Sequence, residues 1–347
     1  TTEIYTLSLH DALPIFILGI VTIGAALWSG YWFVGQNGVQ AGFESWFEAR
    51  RSEGWAAEYS ALQTQGFPNR FDTSFTNLVL ADPDTGLAWE TPLLQLLALS
   101  YKPNHVIAVL ANQQLIATPQ EKYRISSDDM RASIVTGTDI RLPLDRATLT
   151  ASNLVVTPQG TGESTKATSI RLAAERMVTG QPTYRFGLAA DGLSPALNWR
   201  VQLDPAGRLP DTFDALTADF KVTFDKAWDR SAIEDARPQP RRINIRLAEA
   251  RWGRLELLVA GDVDVDAAGL PEGEIVIKAR NWREILKMAV SSGTLTEGFA
   301  NTLESGLSLI SQMAGNPETL DIPLTFSSGR VRLGPVPLGP APVLRLR

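Results

Sequence analysis

Leu216-Thr217-Ala218-Asp219-Phe220-Lys221-Val222-Thr223-Phe224 alternates apolar and polar residues without a break. Successive side chains of a strand point to opposite faces, so a period of two places Leu216, Ala218, Phe220, Val222 and Phe224 on one side. Leu255, Leu257, Val259, Val263 and Val265 repeat the pattern. Outward from these two runs, further strands are predicted at 71–80, 93–99, 105–117, 123–135, 146–157, 169–178, 184–190, 197–203, 243–250 and 273–279. Turn chemistry separates them, as in Asp82-Pro83-Asp84-Thr85-Gly86. Short strands between turns imply a mostly antiparallel meander. The expected fold class is mostly β (α+β): a large antiparallel, curved sheet or a sandwich, with a few packing helices.

One helical block interrupts the strands. Asn281-Trp282-Arg283-Glu284 has capping-box spacing, and Thr294 with Glu297 repeats it. Leu295, Phe299, Leu303, Leu307, Ile310 and Ala314 form a helical stripe that Gly315 and Pro317 end, and it is expected to pack on the sheet. A hairpin turning at Ser327-Ser328-Gly329 follows. The proline-spaced segment 334–342 is expected to run as an extended edge.

The other end of the chain carries Ile15 to Val34, about twenty residues without a charge. As a helix rising ~1.5 Å per residue this run spans the ~30 Å hydrocarbon layer. Trp28, Tyr31 and Trp32 cluster at its far end, where amphipathic rings favour the lipid–water interface. A buried core helix and a cleaved signal peptide are the alternatives; an uncleaved single-pass anchor is the expectation. Residues 1–14 carry Glu3 and Asp11 but no Lys or Arg, and resemble translated adapter read-through rather than a natural leader. From Val39 to Gln65 apolar residues recur mostly at helical spacing, which predicts a juxtamembrane helical segment over 36–66. It would lie along the bilayer or cap the following sheet. The β-rich body is expected over 67–347, with halves near 67–190 and 191–347.

Composition bounds the chemistry. A formal net charge of −6 leaves no basic footprint for nucleic acid. The chain has no cysteine, which excludes thiol catalysis, disulfides and thiolate metal sites. Outside the leader, His105 is the sole histidine, and no G-x-S-x-G elbow accompanies it. Asp262, Asp264 and Asp266 match the first ligands of a calcium loop, but Ala267 and Gly273 stand where that loop needs glycine and glutamate. They read as one solvated strand face. Gly160-Thr161-Gly162 has no lysine at Walker spacing, and Asp128-Asp129 alone defines no glycosidase pair. No catalytic residue, metal site or cofactor is expected.

Gly66-Phe67-Pro68-Asn69-Arg70-Phe71, Trp89-Glu90-Thr91-Pro92, Ile322-Pro323-Leu324-Thr325-Phe326 and the closing run 333–342 together resemble a bacterial envelope family known as domain of unknown function 2125. The resemblance covers nearly the whole chain from Ile15. It implies anchoring in a Gram-negative inner membrane with the body in the periplasm, and it assigns no activity. A looser similarity joins the stretch 261–275 to the AsmA-type envelope proteins, which are thought to shield lipid on a curved sheet. That link is fold-level analogy.

The strands outnumber the helices that could cover them, so an apolar face is expected to stay open as a groove suited to acyl chains. Its expected walls are Phe220, Val222, Phe224, Leu257 and Val259. The first expectation is a non-enzymatic, membrane-tethered periplasmic protein that holds or transfers lipid or supports envelope assembly. The alternatives are a scaffold binding other envelope proteins and, last, a periplasmic hydrolase. The competing arrangement is a sheet that buries the face on itself as a sandwich.

Overall fold

A computed structural model describes residues 9–205, 207–293, 295–313, 318–333 and 336–346. The uncharged run and the segment after it form one helix, α1 (Leu9–Ser52). Among the described residues it is the one helix long and apolar enough to cross a membrane. Its apolar part is almost wholly exposed, as a lipid-facing helix requires and a core helix does not. α1 is continuous through residue 14, so the expected leader has no structural boundary there.

The helix ends at Ser52, and this corrects the helical reading of 36–66. Gly54 takes a positive φ of 90°, and the chain then forms β1 (Ala56–Glu58) and β2 (Ala61–Gln65). Both pair with one edge of β3 (Arg70–Asp82). That edge would otherwise leave a row of backbone groups unpaired, and two short strands satisfy it where a helix could not.

An antiparallel meander follows through β4 (Leu87–Leu99), β5 (Lys102–Leu110), β6 (Gln113–Ala117), β7 (Lys122–Ser126), β8 (Asp129–Thr136), β9 (Leu144–Pro158), β10 (Thr165–Arg176) and β11 (Thr183–Asp191). After α2 (Leu197–Leu203) come β12 (Ala215–Phe224), α3 (Ser231–Glu234), β13 (Pro240–Trp252), β14 (Leu255–Val265) and β15 (Pro271–Arg280). Helices α4 (Trp282–Ser291) and α5 (Glu297–Met313) precede β16 (Thr319–Ser327), β17 (Arg330–Leu333) and β18 (Val336–Pro340). The result is one antiparallel sheet of eighteen strands. Three lanes hold two strands each (β1 with β2, β5 with β6, β7 with β8), so the strands occupy fifteen lanes. At ~4.8 Å per lane the sheet extends ~70 Å across its strands.

The stretches 105–117 and 123–135, expected as single strands, are each split in two. The expected strand at 197–203 is α2 instead. β11 pairs directly with β12 from Thr183↔Thr223 to Ala190↔Leu216, which leaves no lane for another strand and no seam between halves near 190. The Asn281 capping box also fails. Asn281 is left-handed at φ 58°, and its side-chain amide donates to the Arg254 carbonyl, while Glu284 pairs with Arg254. The second box and the end of the α5 stripe involve Thr294, Ala314, Gly315 and Pro317, which lie outside the described residues, as do Gly334 and Pro335.

Three clusters of buried apolar residues join the elements. Phe47, Ala57, Phe75 and Leu78 lock the last turns of α1 onto β1–β4. Trp282, Leu303, Leu307 and Leu320 join α4 and α5 to the far part of the sheet. Tyr184, Val222 and Phe224 form the third, beneath Trp228 in the β12–β13 connection.

Candidate functional site

The register of the sheet brings the alternating runs onto one face. A row passes from Leu96 through Ala108, Ala132, Leu149, Leu172, Leu188, Ala218, Ala248 and Val259 to Ile277 and Ile322, each paired with the next. Two residues along each strand lies a second row: Leu94, Leu110, Met130, Ala151, Ile170, Ala190, Leu216, Ala250, Leu257, Ala279 and Leu320. A third holds Ile134, Phe186, Phe220, Ile245 and Ile275. No polar side chain enters the first two rows over eleven strands. Four residues separate the outer rows on a strand, a width of about 13 Å.

Holding this face in phase takes a local device. Asp219 pairs with Leu247 but Phe220 pairs with Ile245, so β13 carries one extra residue. Without that bulge, Ile243 and Ile245 would turn outward while Ala248 and Ala250 turned inward.

The opposite face is charged and cross-linked. Arg185 and Arg246 both bind Asp219, and Arg242 binds Asp262. The Arg185 guanidinium holds the Asp219 carboxyl below the ordinary carboxylate range, by hydrogen bond and charge together. Asp262, read from sequence as part of a solvated face, lies there too and also accepts from Asn244. His105 Nε2 meets Ser133 Oγ at 2.9 Å on that face. Among the described residues no group of three or more His, Asp or Glu is placed to hold a metal ion.

Helices cover the apolar face only near its two ends. α1 packs on β1–β3, α4 on β14 and α5 on β16. Between them the floor is partly open: Ile134 is 43 % and Leu172 39 % exposed and Leu149, Leu188, Ile245 and Val259 are half-buried, while Met130, Ala151 and Ala190 of the second row are buried. Under the last turns of α1 lies an apolar cleft of about 540 Å³, lined by Val39, Phe43, Trp46, Phe75, Leu94 and Leu96. It opens onto the head of the first two rows.

All five residues expected to wall a groove lie on this face. Phe220 and Val259 are half-buried on its floor. Leu257 is packed against the α4–α5 cluster, and Val222 and Phe224 are buried with Tyr184. Sequence reasoning missed the middle, Leu149, Ile170, Leu172 and Leu188. Ile170-Arg171-Leu172 carried the same alternation, but only the register shows that it continues the floor. Trp28, Tyr31 and Trp32, read as interfacial, also hold the sheet. They donate to the backbone carbonyls of Pro68, Ser100 and Arg70 at 2.8, 2.6 and 2.8 Å.

A family model described as "uncharacterized protein conserved in bacteria (DUF2125)" matches residues 32–342. No curated protein and no solved structure matches the chain.

Proposed function

This chain belongs to the bacterial family DUF2125, and from that premise we propose that it is a membrane-tethered, non-catalytic protein that holds or passes lipid on the apolar face of its sheet. The anchor would sit in the inner membrane and the body in the periplasm. One observation carries the reading: two unbroken apolar rows cross eleven strands, and helices cover only their ends. Monomeric proteins rarely leave so extended an apolar surface to water. Each methylene laid on it contributes about 0.8 kcal/mol, so ten contribute up to about 8 kcal/mol.

The non-catalytic part of the reading is supported by where displaced titrations fall. Asp82 is held in its turn by Thr85, Asp229 by Ser231 and Asp219 by Arg185, so each is engaged locally; Asp229 lines a recess with Arg141, Arg230 and Asp235, but neither of the other two shares it.

The test is photocrosslinking in cells, with benzoylphenylalanine replacing Leu172 or Leu188, and Arg171 or Ala189 as opposite-face controls. Lipid adducts at the first pair and not at the second are expected. Absence of lipid at both trough positions rejects the proposal, and protein adducts there would favour the scaffold. Because the chain has no cysteine, Ser164→Cys and a membrane-impermeant maleimide test the compartment. Labelling in cells with only the outer membrane permeabilised is expected.

A further inference from the structure

We propose that the protein rests on the bilayer through the turns at one end of its sheet, with Phe67, Tyr101, Ile140 and Val178 as the contacting tips. Antiparallel strands joined by short turns place those turns at the two ends of the sheet, and the register shows which end each takes. The connections 66–69, 100–101, 137–143 and 177–182 share one end, because Leu99 pairs with Lys102, Val135 with both His105 and Arg146, and Glu175 with Arg146. Each carries an exposed apolar residue at its tip: Phe67 at 53 %, Tyr101 at 63 %, Ile140 at 88 % and Val178 fully exposed. The facing connections read Asp82-Pro83-Asp84-Thr85-Gly86, Thr118-Pro119-Gln120-Glu121 and Pro158-Gln159-Gly160-Thr161-Gly162. Those are polar.

The anchor sets the height of the apolar tips. Trp28, Tyr31 and Trp32 hydrogen-bond the backbone of the first two of these turns, at Pro68, Arg70 and Ser100. From Ile15 to Trp32 a helix rises about 26 Å, close to the ~30 Å hydrocarbon thickness. The first two turns therefore lie where the helix leaves the lipid, and the next two extend from them along the same sheet end.

The far part of this end is closed differently. Beyond β18 the chain crosses it as a strap: Ala341 N donates to Gly329 O, Leu344 N to Gly269 O and Leu346 N to Gln239 Oε1. The apolar tips thus occupy the part nearest the anchor; the charged 225–239 connection packs beside the 137–143 turn, with Arg230 N donating to Arg141 O, and the strap crosses the part beyond it. The opposite end has its own exposed apolar residues, Leu87 beside the 82–86 turn and Leu197, Trp199 and Val201 on α2, but the apolar part of α1 does not reach it. The contact rests on α1 being the membrane span, not on lipid being held. What it adds to the lipid-holding reading is a route: the first lanes of the trough would open against the leaflet, and an acyl chain could slide in without crossing water.

Single-cysteine variants of the full chain test this after labelling with an environment-sensitive fluorophore and reconstitution into phosphatidylethanolamine–phosphatidylglycerol vesicles with or without brominated chains. Tyr101→Cys, Ile140→Cys and Val178→Cys are expected to give blue-shifted emission that brominated lipid quenches. Thr85→Cys and Thr161→Cys are expected to give water-like emission. Water-like emission at 140 and 178, or stronger quenching at Val201→Cys than at Ile140→Cys, overturns the proposal. A Gly24→Cys label reports the anchor separately, and the crosslinks at Leu172 and Leu188 report the trough, so failure of the contact is distinguishable from failure of either.

Discussion

Trp32 donates its indole N–H to the carbonyl of Arg70 at 2.8 Å, and 4 % of its surface is exposed. Its ring also packs edge-on to Phe67 and beside Phe71. One side chain thus ties the long apolar helix to the first full strand, alongside the contacts of Trp28 and Tyr31. Trp32→Ala should weaken this junction by about 3–5 kcal/mol, as for large-to-small core changes. Trp32→Phe, which loses mainly the hydrogen bond, should cost about 1 kcal/mol. Hydrogen exchange of the full chain should show 66–71 deprotected in the first variant. Unchanged protection would mean that the junction does not depend on this contact.

Glycines on the sheet-facing side of α1 should respond with opposite signs. A Cβ at Gly35 would stand 2.5 Å from the Phe71 ring, whereas Gly38 and Gly42 have nothing within 4 Å. Gly35→Ala should destabilise the junction by about 1–3 kcal/mol despite better helix propensity, and Phe71→Leu should relieve it. Gly38→Ala should be stabilising by up to about 1 kcal/mol. Thermal melts of the purified chain in detergent separate the two signs.

Polar substitutions should expose the openness of the trough. Leu172→Ser and Ile134→Ser, at half-exposed positions, should cost under about 1 kcal/mol each. Leu320→Ser, at 1 % exposure beneath α5, should cost about 2–5 kcal/mol. Equal costs in urea titrations would mean that the middle of the sheet is covered in solution.

Acid should reveal the Asp219 clamp. Its folded pKa is lowered, chiefly by the Arg185 hydrogen bond, with Arg246 adding charge. A lowered carboxylate contributes stability above its unfolded value of ~3.9 and loses it as pH falls through the folded value. Asp219→Asn should therefore lower the urea midpoint at neutral pH, and the gap to wild type should close on acidification. A gap that widens in acid would contradict the assignment.

Much of the architecture was legible because period-two alternation is a local property. Leu216 to Phe224 reads as a one-sided strand wherever it is placed, and β12 has those bounds within a residue. The 39–65 segment misled because Val39, Phe43, Trp46 and Phe47 are helical and that reading was carried past Gly54, where the helix ends and strands begin. The Leu197, Trp199, Val201 alternation misled in turn, because a strand needs a free neighbour and both β11 and β12 were already paired. Buried Val222 and exposed Leu172 look alike in sequence; what distinguishes them is Trp228, which the connection after β12 folds back over Tyr184.

The sequence by itself determined the uncharged span, the aromatic cluster at its end, and an apolar side on nearly every strand. Those follow from hydrophobicity and side-chain period, which need no partner to be read. The tertiary structure decided that these separate apolar sides join in register into one trough, that a bulge in β13 keeps them in phase, and that helices cover its ends alone. Register, edge pairing and roofing arise between residues far apart in the chain, where the free energy belongs to the pair rather than to either member.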